Sequence, residues 1–240
     1  MFPRAVPFRI CRAYPGSEVS SRGQTTWCRW LRAALAAGAW CAAAQAQVAA
    51  LEVTVARQDG QPLAGAVITV ERESSPLGPA APVKAIMDQV NLAFAPDVLV
   101  IPVHSTVQFP NSDVISHQVY SFSSARQFQL PLYRGKPYPP VQFDQPGVVT
   151  LGCNIHDNMI AYVMVTDAPF FGRTDARGQW HAADVPAGHY RVRVWHPLLN
   201  EPRAVEGTVD VGADRGTVAI RLSKALRPAP LGSRPHTWDY

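Results

Sequence analysis

Beyond residue 46 this 240-residue chain has a single cysteine, Cys153, because Cys11, Cys28 and Cys41 all fall within the first 41 positions. A lone thiol cannot close an internal disulfide. In an oxidising compartment it is buried and inert, paired between chains, or bonded to a metal. Helical periodicity is scarce as well, while 22 Pro and 16 Gly punctuate the chain at turn-like positions, which favours a β-rich reading. The chain has no G-x-S-x-G element, Walker loop or dinucleotide fingerprint, so hydrolysis and nucleotide chemistry have no support. With 47% hydrophobic and 17% charged residues, its length allows one or two globular domains with real cores.

The leader is set aside first. From Trp27 the chain reads "WCRWLRAALAAGAWCAAAQAQ". Arg29 and Arg32 form a basic flank, an Ala/Leu-rich run follows, and Ala44-Gln45-Ala46 is an A-x-A cleavage site. This pattern predicts a secretory signal peptide within a leader spanning 1–46, a periplasmic location and no membrane span after cleavage. An uncleaved anchor is the alternative. Trp40 before Cys41 argues against a lipoprotein signal. Six of the 22 Lys and Arg residues (Arg4, Arg9, Arg12, Arg22, Arg29, Arg32) and one of the 18 acids, Glu18, lie in this leader. The remainder carries 16 basic and 17 acidic side chains, a net charge near −1. The basic pI therefore belongs to the leader, and nucleic acid is not an expected partner.

Strand-like runs fill the rest. Residues 51–57 ("LEVTVAR") alternate, "QDGQPLAGA" turns, and 66–72 ("AVITVER") form a second strand. A Pro- and Ser-rich linker, 73–82, follows. Between 83 and 167, short runs with turn signals every eight to twelve residues predict a sandwich or barrel. Residues 168–224 read as β again, and 225–240 as a loose Pro-rich tail.

The chemistry concentrates in "GCNIHDNMIAYVMV", residues 152–165, which spaces Cys153, His156 and Met159 evenly before a strand. A blue-copper site needs a thiolate, two imidazoles and a weak axial sulfur. This short loop supplies three of the four. His117, in "FPNSDVISHQVYSF", is the candidate second imidazole, and a strand pairing with 159–165 is expected to bring it alongside. The soft donors select copper over calcium or magnesium, and a distant methionine suits closed zinc poorly. A buried free thiol is the alternative, and Met164 is a rival axial donor. A cysteine nucleophile has no orienting residue in view. Asp113 and Asp157, near these residues, either accept hydrogen bonds or face water, and water is the favoured reading. His104 falls at a turn where glycine is usual, and His181, His189, His196 and His236 are expected to be ordinary surface or hydrogen-bonded histidines.

These motifs carry two resemblances. The stretch 83–167, with its C-x-x-H-x-x-M loop, its "VTLGC" and "MIAYVMVTD" strands and N-x-x-x-x-x-H from Asn111 to His117, resembles the cupredoxins of the plastocyanin and amicyanin kind. The resemblance implies a Greek-key sandwich with His117, Cys153 and His156 as equatorial ligands and Met159 as axial ligand. It implies copper as cofactor, a redox protein as partner, and His156 as the electron port within an apolar patch of Pro110, Ile155 and Ile160. The chain departs from that family at Gln118, where Asn is usual, and at Ile155, where Pro is common. The whole chain is similar to bacterial secreted proteins often labelled methylamine-utilisation proteins. Separately, "DGQPLAGAVITV" followed by "TDARGQWHAADVPAGHYRVRVWHP" resembles the transthyretin-like or carboxypeptidase-regulatory sandwiches. That implies one small sandwich built from 47–76 and 168–224, with the cupredoxin-like module inserted between its second and third strands. Two sandwiches in series is the other arrangement.

Three roles follow: a one-electron carrier, a copper storage, delivery or sensing module, or a structural binding platform. An enzyme is disfavoured, because copper oxidases and nitrite reductases add a second, His-rich site and the chain has no H-x-H element.

Overall fold

In Val48–Ala56 every second side chain, Ala49, Leu51, Val53 and Val55, is buried, the two-residue period of an extended chain with one face on a core. The same alternation recurs throughout. The computed structural model describes residues 47–199 and 204–228, which form seventeen strands and no helix. The signal-peptide reading of 1–46, His236 and the part of the tail from 229 onward lie outside the described residues. No helix among the described residues is long and apolar enough to cross a membrane.

The strands, in order, are β1 (Val48–Ala56), β2 (Val67–Arg72), β3 (Lys84–Ile86), β4 (Asp88–Val90), β5 (Ala93–Ala95), β6 (Val98–Pro102), β7 (Ser105–Gln108), β8 (Tyr120–Ser123) and β9 (Arg126–Gln129). They continue with β10 (Val141–Phe143), β11 (Gly147–Cys153), β12 (His156–Thr166), β13 (Phe170–Arg173), β14 (Gln179–Pro186), β15 (Gly188–Trp195), β16 (Val205–Val211) and β17 (Arg215–Arg221).

Two cores organise them. One lies between the sheets β14-β1-β17 and β13-β2-β15-β16 and gathers Leu51, Val53, Ile68, Tyr190 and Val192. The other gathers Phe94, Phe143, Leu151 and Val163 from strands β5 to β12, with Phe109 just after β7; the largest sheet of this part runs β6-β12-β11-β8-β9. The chain leaves the first core after β2 and returns to it at β13. Each fully buried aliphatic side chain contributes about 1.5–3 kcal/mol. Exposed ion pairs such as Arg191–Glu73 contribute at most about 1 kcal/mol, so the cores hold the modules together.

The turn motifs have local causes. Asp175 Oδ1 accepts from the N–H groups of Arg177 and Gln179, closing the T-D-x-x-G turn. Gly178 ends it at φ 72°, and the carbonyl of Val55 sits where a Cβ would project, so only glycine fits. Thr174 Oγ1 donates to Leu63 O at 2.6 Å and accepts from Ala66 N at 2.9 Å, tying this turn to the P-L-x-G-A stretch. Tyr190 donates its hydroxyl hydrogen to Pro186 O at 2.7 Å, which explains the P-x-G-x-Y spacing.

The modules also meet each other. Arg173 donates to Asp97 Oδ1 at 3.1 Å and to Val98 O at 3.0 Å, and the rings of Tyr162 and Trp195 pack edge to face at 5.4 Å.

Candidate metal centre

The centre is built on the β11–β12 hairpin. Cys153 is the last residue of β11 and His156 the first of β12, and the two pair across a connection of only Asn154 and Ile155. His156 therefore belongs to the strand, three residues before the Met159 start expected from the sequence. The register shifts between Gly152 and Cys153, a bulge that re-aims the thiol. Gly152 leaves room for Tyr120: a Cβ there would lie 2.8 Å from its ring.

His117 arrives by a different route from the one expected. The expected strand is not the neighbour of 159–165: β11 pairs with Ile160–Val165 on one side, and β6 runs parallel to Tyr162–Thr166 on the other. His117 instead precedes β8, which joins the sheet through β11 with Tyr120 opposite Gly152. Its backbone N–H and C=O both bond to Tyr133 at 3.0 Å.

Three donor atoms converge. The Nδ1 atoms of His117 and His156 are 3.1 Å apart, and Cys153 Sγ lies 3.9 Å from the first and 3.6 Å from the second. The point equidistant from all three is about 2.1 Å from each, close to the ~2.0–2.3 Å bonds that nitrogen and sulfur make to a zinc-sized ion. A soft thiolate with two imidazoles in that spacing is a donor set that can hold copper or another first-row ion such as zinc. Among the described residues this is the one such group of three potential ligands. His117 is 0% exposed and Cys153 4%, while His156 is half-buried at the rim.

Met159 is buried in the same core as Cys153. Met164, the rival, lines a cleft of about 260 Å³ beside Arg193 and Trp195, at the junction with the other module.

Asp113 does not face water as expected. Its Oδ2 accepts from His117 Nε2 at 3.0 Å and from Leu92 N at 2.8 Å, and Oδ1 accepts from Val114 N at 2.8 Å. The Leu92 N–H and the His117 ring together hold its carboxyl below the usual range. Asp157 is exposed, as expected.

Sequence reasoning also missed a buried clamp beneath the His117 loop. Gln89 Nε2 donates to Pro110 O at 2.9 Å and to the Tyr133 hydroxyl at 2.5 Å, and that hydroxyl donates to Phe109 O. Asn111 Nδ2 donates to Ile115 O and Tyr133 O. Burial pushes the Tyr133 hydroxyl up to about 12, so it remains a donor. The one local signal was Asn111-Ser112-Asp113, an Asx pair in which Asp113 N donates to Asn111 Oδ1 at 3.0 Å.

Ile155 and Ile160 are exposed beside the centre and Pro110 is half-buried. Val114, 73% exposed, and Ile115 add apolar surface on the His117 loop. Of the other histidines, His104 has φ 66°, the left-handed turn geometry expected, and pairs with Asp144. His181 is exposed, and His189 pairs with Asp210. His196 is half-buried, its Nδ1 accepting from Leu198 N at 3.2 Å.

No family model matches the chain, and no curated protein matches it. Solved cupredoxins resemble part of it. A purple cupredoxin from Nitrosopumilus maritimus is 24% identical over 35% of this chain and 99% of its own, with a TM-score of 0.31. A Cu-containing nitrite reductase from Thermus scotoductus SA-01 is 27% identical over 47% of this chain and 28% of its own, with a TM-score of 0.32. An amicyanin variant in its reduced state is 18% identical over 41% of this chain and 99% of its own, with a TM-score of 0.31.

Proposed function

We propose that this protein is a one-electron carrier whose copper ion is held by His117 Nδ1, Cys153 Sγ and His156 Nδ1, with Met159 as a weak fourth donor. The observation that carries this reading is the convergence of one thiol sulfur and two ring nitrogens at separations of 3.1–3.9 Å. Bound copper would supply the cycle between Cu(I) and Cu(II). The chain's own residues contribute a fixed frame. Cys153 is paired to His156 across the hairpin, and His117 is tied to Tyr133 by both backbone groups. Donors held this way move little when the charge at the centre changes.

His156, at the rim beside exposed Ile155 and Ile160, is the proposed electron port, and the partner is a redox protein meeting that apolar surface. The signal-peptide reading of the leader supports a periplasmic location. Copper storage or delivery would use the same donors, but the burial of His117 and Cys153 favours exchange of an electron over exchange of the ion.

The test is cyclic voltammetry of the copper-loaded chain, with transfer of copper to a chelator followed in parallel. A reversible one-electron wave with slow copper loss supports the carrier. No reversible wave with rapid copper transfer supports storage or delivery.

A further inference from the structure

We propose that Asp113 is the positioning residue of this centre, holding His117 in the single tautomer that leaves Nδ1 free to ligate and enriching that ring in electron density. The second part rests on the copper reading above. The first concerns the metal-free chain alone.

An ionised carboxylate only accepts hydrogen bonds, so the ring nitrogen 3.0 Å from Asp113 Oδ2, His117 Nε2, carries the hydrogen. A neutral imidazole then has its lone pair on Nδ1, the atom that faces Cys153 Sγ and His156 Nδ1. The ring is fully buried and the Asp113 side chain only 10% exposed, so water offers Nε2 little competition.

The carboxylate is itself aimed from two directions. Val114 N, in its own turn, and Leu92 N, at the tip of the β4–β5 hairpin, both donate to it at 2.8 Å. Asn91 and Leu92 have φ values of 51° and 62°, the left-handed pair of a two-residue hairpin turn. A leucine in that region costs about 1–2 kcal/mol and persists where its surroundings over-determine it. Here the turn aims the Leu92 N–H at Asp113. Asp88, on the same hairpin, accepts from Ser112 Oγ at 2.7 Å, so the hairpin grips the His117 loop at two adjacent residues. A carboxylate behind a ligating imidazole raises its basicity. By charge alone it stabilises the more oxidised ion, which lowers the reduction potential.

The experiment compares the full chain with Asp113→Asn, which keeps an acceptor of the same size without the charge, and with Asp113→Leu, which removes both. Nitrogen-15 NMR of the metal-free chain reads the His117 tautomer, and midpoint potential and Cu(I) affinity are measured after loading. The expected result is a single Nε2–H tautomer in the wild type. Asp113→Asn keeps it with a raised potential. Asp113→Leu loses it, with copper affinity down about 10–100-fold. A wild-type His117 protonated on Nδ1 overturns the proposal, as does an Asp113→Leu chain with unchanged tautomer and affinity. If Asp113→Leu does not fold, Asp113→Asn decides, and an unmoved potential overturns it. A wild-type chain that takes up no copper sinks the copper reading, while the tautomer still decides the role of Asp113.

Discussion

The Nδ1 atoms of His117 and His156 stand 3.1 Å apart although 39 positions separate them in the chain. His156 sits there because β11 and β12 form a tight hairpin, and His117 because the segment before β8 is bonded to Tyr133. Two separate backbone devices therefore present the same ring atom to one sulfur.

The two methionines of β12 are predicted to differ. Met159→Leu is expected to keep copper bound and raise the midpoint potential, because a weak sulfur donor to the oxidised ion is lost. Met164→Leu, in the cleft beside Trp195, is expected to leave spectrum and potential unchanged. Exchange of Met for Leu costs under about 1.5 kcal/mol, so both variants should fold. Voltammetry of the pair checks this, and the reverse pattern would move the axial role to Met164.

Tyr133→Phe removes a hydroxyl that accepts from Gln89 Nε2 and donates to Phe109 O. With Gln89 fully buried, the expected loss is about 1–3 kcal/mol, read as a lower urea midpoint with unchanged slope. Stability equal to wild type would mean that the clamp contributes nothing.

All-β architecture was legible because alternation is local: Leu51, Val53 and Val55 point one way whatever lies beside them. The Cys153-x-x-His156 spacing was equally legible, since a hairpin brings its own ends together. The path of His117 was not. Which strand neighbours which depends on the whole sheet, and the neighbours of β12 are β11 and, along Tyr162–Thr166, β6. Asp113 was misread for a related reason. Its exposure is set partly by the N–H of Leu92, 21 positions away on another hairpin, and no window around Asp113 contains that donor.

Stability should fall with acid through His196. Burial, ahead of the nearby Arg173 charge, pushes this ring down to about 4. The unfolded chain, with an ordinary value near 6.5, therefore binds more protons between about pH 4 and 6.5. The sign follows: the contribution is complete above 6.5 and is lost as pH falls toward 4, on the order of 3 kcal/mol in all. His189, raised by Asp210, works in the opposite sense. His196→Asn keeps an acceptor for Leu198 N but does not titrate in this range. Urea unfolding of both proteins from pH 4 to 7 should show the steeper acid loss in the wild type, and parallel curves would refute the assignment.

The visible and EPR spectra of the Cu(II)-loaded chain, recorded beside Cys153→Ser, test the central claim most directly. One copper per chain, with an intense thiolate-to-copper absorption that vanishes in the serine variant, is the predicted result. A colourless copper-loaded wild type, or a spectrum indifferent to the loss of the Cys153 sulfur, would contradict it.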